Sequence, residues 1–319
     1  MEGLLLFYKP IDWKNKDILN FFKRTFNGQK TGHSGTLDPF AEGLMVMGLG
    51  RKFTKKLHDL LLHSQKEYIA KIEFGKISDT YDIDGKIKEV KNKIKPTSAE
   101  IKSVIEKEFL GEKSQTPPVY SAKKHKGKRL RDIRESKEIS EILKSKIKKV
   151  TLFDFEIISY KHPYLEIKLL VSSGFYIRSF ANDLGEKLKT GAYLTELKRT
   201  KLGNYLVEQA LRPEDFNTVG HSERSEESQS IELYGKISGQ VQGVGFRFFI
   251  NEVAAKLNIN GYAKNTPDGN VEFLAQSDIG SLNKFQNEII KGSSFAQISD
   301  YEFIIQKPER TFENFKISF

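Results

Sequence analysis

Eleven consecutive residues, Gly220-His-Ser-Glu-Arg-Ser-Glu-Glu-Ser-Gln-Ser230, contain no apolar side chain, so this stretch cannot bury a face against either neighbour. It reads as a linker. With its flanks it divides the 319-residue chain into residues 1–216, a Ser/Glu-rich joint at 217–231 and residues 232–319. That length suits about two domains of roughly 100–200 residues, each with its own core. The two parts differ in charge. Residues 1–216 carry 42 Lys and Arg against 29 Asp and Glu, whereas residues 232–319 carry 9 against 10. A surplus of 13 positive charges attracts a polyanion by releasing condensed counterions, and nucleic acid is the commonest such partner. A lysine-rich surface without a partner gives the same count, so charge alone leaves both readings open.

With no cysteine, the chain has no route to disulfides, thiolate nucleophiles or cysteine-held metal. Its apolar fraction is 38%, and no segment approaches the ~18 consecutive apolar residues of a membrane span. The start, Met1-Glu-Gly-Leu-Leu-Leu, lacks the basic region of a secretory signal. A cytoplasmic protein with no membrane partner is expected.

The front part mixes strand and helix periods. Lys66-Glu-Tyr-Ile-Ala-Lys-Ile-Glu-Phe74 alternates as a strand does, and Val150–Ser159 and Leu165–Val171 read the same way. Thr97-Ser-Ala-Glu100 is a capping box that opens a helix with Ile101, Val104, Ile105 and Phe109 on one face, closed by Gly111. After the linker the order is strand (Ile231–Ser238), helix (Phe246–Leu257), strand (Gly261–Asn265), strand (Asn270–Gln276), helix (Ile279–Lys291) and strand (Ile298–Ile305). This β-α-β-β-α-β order predicts a ferredoxin-like sandwich.

Gly32-His-Ser-Gly-Thr-Leu-Asp-Pro-Phe-Ala-Glu-Gly43 sets one Asp before a proline between glycines, which alone is most often a turn. The wider context changes the weight. The run through Gly43-Leu-Met-Val-Met-Gly-Leu-Gly-Arg-Lys-Phe-Thr54 resembles the signature of the TruB family of tRNA pseudouridine synthases. Further segments resemble that family in the same order: Lys9-Pro10; Lys66-Glu-Tyr68 through Phe74-Gly75 with Asp79-Thr80 and Asp82-Ile-Asp-Gly85; Gln115-Thr-Pro-Pro-Val-Tyr-Ser-Ala-Lys123 with Gly127; Gly174-Phe-Tyr-Ile-Arg178 through Gly185; and Gly191-Ala-Tyr-Leu-Thr-Glu-Leu-Lys-Arg199 with Gly203. The resemblance runs from residue 3 to about residue 215. One stretch departs from it: Ile11-Asp-Trp-Lys-Asn-Lys16 stands where the family has Gly and a pair of small hydroxyl residues.

The resemblance implies an α+β, mixed-sheet pseudouridine synthase fold. It also implies isomerisation of uridine at position 55 in the T-loop of tRNA, bound through its T-arm, without cofactor or metal. On it, Asp38 is the catalytic carboxylate and Arg178 the arginine beside it. Three roles stay open for the carboxylate: nucleophile on the sugar, nucleophile on the base, or base toward a ribose proton. An arginine beside it favours the ionised form and fixes its orientation. A uridine in a folded loop leaves its stack at a cost of a few kcal/mol, which asks for an aromatic support. The resemblance gives that role to Tyr68, and places His33, Lys9 and Lys123 at the substrate. The tract Lys123-Lys-His-Lys-Gly-Lys-Arg129 with Arg131, joined by Lys198, Arg199 and Lys201, reads as phosphate-contacting surface, which positions an RNA without specifying it.

In the back part, Gly239-Gln-Val-Gln-Gly-Val-Gly-Phe-Arg247 runs from a strand into a helix, where glycines let backbone N–H groups converge on an anion. With Gly261-Tyr-Ala-Lys-Asn265 and Pro267-Asp-Gly-Asn-Val271 it resembles acylphosphatase from about Tyr234 to Ile317. That resemblance implies hydrolysis of a small acyl phosphate without metal. Gly243, Val244 and Gly245 would cradle the phosphoryl group, Arg247 bind its oxygens and Asn265 orient the attacking water. The competing reading is a non-catalytic RNA-binding or folding module followed by a passive contact domain.

Overall fold

The computed structural model describes residues 1–91, 94–119, 124–125, 128–129, 142–143, 145–216 and 230–318. Lys123, Arg131 and linker residues 217–229 lie outside them. Of the basic tract, Lys124–His125 and Lys128–Arg129 are described, as two paired strands. The chain forms two compact units, each discontinuous in sequence: Met1–Leu37, Gly43–Leu61 and Tyr205–Phe319 in one, Asp38–Glu42 and Leu62–Asn204 in the other. Among the described residues no helix is long and apolar enough to cross a membrane.

The unit containing Asp38 is built on five antiparallel strands in the order Ala192–Leu202, Lys66–Phe74, Tyr164–Val171, Lys148–Lys161, Gly111–Gln115. The central strand Lys66–Phe74 buries Lys66, Tyr68, Ala70 and Ile72 on one face, which is the alternation its sequence predicts. The capping box forms as expected. Thr97 Oγ1 accepts from Glu100 N at 3.2 Å, Glu100 accepts from Thr97 N at 2.6 Å, and the helix runs Ser98–Glu108 with Ile101 and Ile105 buried. Phe109, just past its end, packs edge-on against Phe180 of helix Ile177–Lys187, with ring centres 5.0 Å apart. Those two rings join the helices over an apolar contact, and burying Phe180 fully is worth roughly 1.5–3 kcal/mol.

The other unit holds the ferredoxin-like order read from the sequence. Strands Asn260–Asn265, Val271–Ser277, Ile231–Gln240 and Gln297–Gln306 are neighbours in that order, with helices Phe246–Lys256 and Ile279–Lys291 between them in sequence. Two pairings extend the sheet. Phe315–Ser318 adds a parallel edge strand beside Asn260–Asn265, and Gly3–Lys9 pairs in parallel with Gln297–Gln306 through Leu4↔Ile304 and Leu5↔Ile305. Gly3–Lys9 pairs on its other side with Glu42–Leu49, whose far edge takes Thr31–His33. Every residue of Gly3–Lys9 is buried, which explains why it reads Gly-Leu-Leu-Leu-Phe-Tyr-Lys rather than alternating. Phe7 is packed among Trp13, Phe21, Phe22 and Phe216, which brings helix Asn15–Thr25 and residues before the linker into one aromatic core.

Candidate active sites

Asp38 lies in the unit built on Lys66–Phe74, in a turn closed by Ala41 N donating to Asp38 O at 3.1 Å. The Asp-Pro turn is therefore real, and it leaves the carboxylate 34% exposed. Arg178 takes that carboxylate side-on, Nε to Oδ2 at 3.0 Å and Nη2 to Oδ1 at 3.3 Å. Its remaining nitrogen, Nη1, donates to Asp82 Oδ2 at 2.9 Å and to Thr80 O at 3.3 Å. The guanidinium thus spans two carboxylates, one open to solvent and one, Asp82, only 4% exposed. Paired, charge-assisted bonds of this kind fix geometry as well as energy.

Three local devices hold Arg178. Gln115 Oε1 accepts from Tyr176 N at 2.8 Å while its Nε2 donates to Tyr176 O at 3.0 Å, and Ser179 Oγ donates to Thr116 O at 2.8 Å. These bonds anchor the first turn of helix Ile177–Lys187, which starts just after Tyr176. On the other side, Asp82 Oδ1 accepts from Thr80 Oγ1 at 2.5 Å and from Asp84 N at 3.1 Å. The turn that aims Asp82 inward is wound tightly: a Cβ on Gly85 would stand 2.2 Å from both Ser78 Oγ and Thr80 Oγ1, so a side chain there would have to displace the hydroxyl that bonds Asp82. Asp82, Thr80 and Gln115 stand inside segments quoted above, yet the sequence reading gave none of them a role.

Tyr68 is 8% exposed and stands in register opposite Arg199 and Leu169. Arg199 corrects an expectation: it is 1% exposed on strand Ala192–Leu202, so it is not part of a phosphate-contacting surface. Lys66 is buried near it, its ammonium donating to Ser173 Oγ at 3.2 Å, and burial, aided by repulsion from Arg199, pushes its pKa down to about 8. His33 and Lys9 belong to the other unit. His33 ends strand Thr31–His33 opposite Met47, and Lys9 is fully buried with Nζ donating to Pro10 O at 2.9 Å.

In the C-terminal sheet, Gly243 and Gly245 both have φ of 74°, flanking Val244, and Gly245 caps helix Phe246–Lys256. Left-handed positions on either side of a residue turn successive N–H groups toward one point, beside a positive helix end. Gln242, which the sequence reading passed over, ties this loop down by donating to Thr266 O at 2.9 Å and Asn270 O at 2.7 Å. Arg247 Nη1 donates to Ser318 O at 3.2 Å. Ser318 pairs with Lys264, the neighbour of Asn265, so Arg247 and Asn265 share one end of the sheet with the glycine loop, and Asn265 is exposed.

These observations define the class: a pseudouridine synthase fold carrying an acid–guanidinium centre, and an acylphosphatase-like sheet carrying an anion cradle. Comparison with known proteins makes the assignment sharper. A family model for the TruB family pseudouridylate synthase N-terminal domain matches residues 23–177, and one for acylphosphatase matches residues 233–317. The tRNA pseudouridine synthase B of Protochlamydia amoebophila (strain UWE25) is 40% identical over 225 residues, 70% of this chain and 83% of that protein. Its counterpart in Clostridium tetani (strain Massachusetts / E88) is 38% identical over 218 residues, 68% of this chain and 73% of that protein. Among solved structures, a Cbf5-Nop10-Gar1 complex shares the fold at a TM-score of 0.50 and 24% identity, over 67% of this chain and 53% of that one. An acylphosphatase from Bacillus subtilis is 31% identical over 28% of this chain and 99% of that one, at a TM-score of 0.27. The chain belongs to the TruB family of pseudouridylate synthases and carries an acylphosphatase domain at its C-terminus.

Proposed function

We propose that the protein isomerises uridine to pseudouridine at position 55 in the T-loop of tRNA, with Asp38 as the catalytic carboxylate. The observation that carries this reading is the Asp38–Arg178–Asp82 arrangement, in which a half-open acid is fixed by a buried guanidinium that a second, buried acid braces. The reaction breaks the bond between N1 and the ribose, turns the base, forms a carbon–carbon bond from C5, and releases the C5 hydrogen to water while N1 takes up a proton. Atoms balance without an external oxidant or reductant. Asp38 acts on the extruded nucleoside, Arg178 holds its oxygens, and Asp82 is a positioning residue. Tyr68 supports the turned-out base. The basic surplus of the front part draws the tRNA T-arm to the site.

The C-terminal domain hydrolyses small acyl phosphates to a carboxylate and inorganic phosphate. Gly243, Val244, Gly245 and Arg247 hold the phosphoryl oxygens and Asn265 orients water, which suffices because the leaving carboxylate is already good. The reading is supported by the left-handed pair of glycines at a helix start, with Arg247 and Asn265 at the same end of the sheet. The isomerase reading is tested by incubating the protein with an unmodified tRNA transcript and applying a reagent that adds mass to pseudouridine alone, since the isomerisation itself leaves mass unchanged. A tagged T-loop fragment is expected. An untagged fragment with tRNA still bound would favour a binding module without turnover.

A further inference from the structure

The C-terminal sheet meets strand Gly3–Lys9 through more than a tether requires, and all the residues concerned belong to one compact unit. Beyond the parallel pairs Leu4↔Ile304 and Leu5↔Ile305, the wholly buried Gln286 acts as one more rung. Its Nε2 donates to Glu2 O at 2.6 Å and its Oε1 accepts from Glu2 N at 2.7 Å. Tyr301 Oη donates to Glu2 Oε2 at 2.9 Å. From helix Gly50–His63, Lys52 pairs with Asp300, donates to Tyr301 O at 2.5 Å and stands 3.6 Å from the centre of the Tyr301 ring. Lys56 pairs with Glu302 at 2.7 Å, and the buried Phe53 lies between them against Tyr301 and Phe303.

The chemistry is complementary throughout. In the two helix ion pairs, Lys52 and Lys56 come from the basic front segment, and Asp300 and Glu302 from the back segment. A buried strand left at a sheet edge offers unpaired N–H and C=O groups to any passing strand. Here that edge is covered along its length: Leu4 and Leu5 by Ile304 and Ile305, then Leu6 and Tyr8 by bonds to Leu211. Lys307 N donates to Gln209 O at 2.9 Å and continues the contact toward Leu211.

We propose that this face is a preformed strand-addition interface that holds the C-terminal domain on the front segment without help from residues 217–229. The linker is then a tether, and the joint is Glu2–Leu5 and Lys52–Lys56 against Gln286 and Asp300–Ile305. Strand addition supplies affinity through backbone bonds, and buried Gln286 and Phe53 supply the register. The occupant of the C-terminal sheet edge is this chain's own first strand.

The test uses the full chain with a protease site inserted within 217–229. After complete cleavage, gel filtration at about 1 μM removes the millimolar effective concentration that a short tether supplies. The two fragments are expected to co-elute at the mass of one intact chain, and Gln286→Ala is expected to weaken their association at least tenfold. Separation of the wild-type fragments would overturn the proposal. Elution as a dimer before and after cleavage would overturn it too, because the strand would then come from a second copy. Should Gln286→Ala fail to fold by circular dichroism, Lys52→Glu takes its place: it is expected to separate the fragments, and adding Asp300→Lys to rejoin them. An unchanged association in a folded Gln286→Ala protein, or in Lys52→Glu, contradicts the assigned contacts.

Discussion

Replacing Asp82 by Asn tests whether the second carboxylate matters to the first. The substitution keeps the shape and one acceptor but removes the charge facing Arg178 Nη1 at 2.9 Å. A hydrogen bond to a charged partner is worth about 1.5–3 kcal/mol and a neutral one about 0.5–1.5 kcal/mol, so the expected loss of stability is about 1–2 kcal/mol. Asp82→Ala leaves the guanidinium without that partner in a buried setting and costs more, about 3–5 kcal/mol. A loss of about 1.4 kcal/mol expressed in the alignment of Asp38 corresponds to a tenfold loss of rate. Asp82 is only 4% exposed and has no surface to offer RNA. The account therefore predicts that Asp82→Asn lowers kcat about tenfold with KM for tRNA unchanged, read from C5-hydrogen release alongside urea unfolding. A kcat within twofold of wild type in a protein destabilised by the expected amount would refute the positioning role. A raised KM at constant kcat would place Asp82 in RNA binding instead.

Other outcomes follow from the same geometry. Lys66, held down to about 8 by burial, stays protonated in the unfolded chain up to its ordinary value of 10.5. Between those two values the unfolded chain binds more protons, so stability rises with pH across that window by at most roughly 3 kcal/mol. In Lys66→Met that rise should vanish, and urea midpoints of the two proteins that climb in parallel between about pH 8 and pH 10 would contradict it. Thr97→Ala removes the acceptor for Glu100 N at the start of helix Ser98–Glu108 and should cost about 1 kcal/mol in unfolding with activity unchanged. An unaltered melting curve would show that the cap contributes nothing. Arg247→Ala should lower phosphate release from acetyl phosphate by about 10²-fold, the usual loss of one donor to transition-state charge. A variant as fast as wild type would leave the loop without its assigned role.

The sequence was most legible where a local period or a short motif carried the structure. The alternation in Lys66–Phe74, the Thr97–Glu100 box and the helix Ile279–Lys291 appear in the structure with the expected bounds or within a residue of them. The βαββαβ order was equally readable, because each element there is amphipathic by itself. Pairings between distant segments were not. Nothing in Gly3–Lys9 announces Gln297–Gln306 as its neighbour, since an apolar strand buried on both faces looks the same whatever lies beside it. Asp38 and Arg178 were named from their motifs, but Asp82 gained its role only once a folded turn carried it to Arg178, 96 residues away in sequence. Arg199 failed for the opposite reason. A basic run reads as surface by default, and only the register opposite Tyr68 reveals that its guanidinium lies inside.

The central claim is that one carboxylate performs the isomerisation, and Asp38→Asn tests it most directly. The substitution preserves volume and leaves an acceptor for Arg178, so the fold and the RNA-binding surface should persist. With tRNA carrying tritium at uridine C5, the account predicts that the variant binds tRNA with wild-type affinity and releases no tritium above background. Tritium release by Asp38→Asn at the wild-type rate would contradict it.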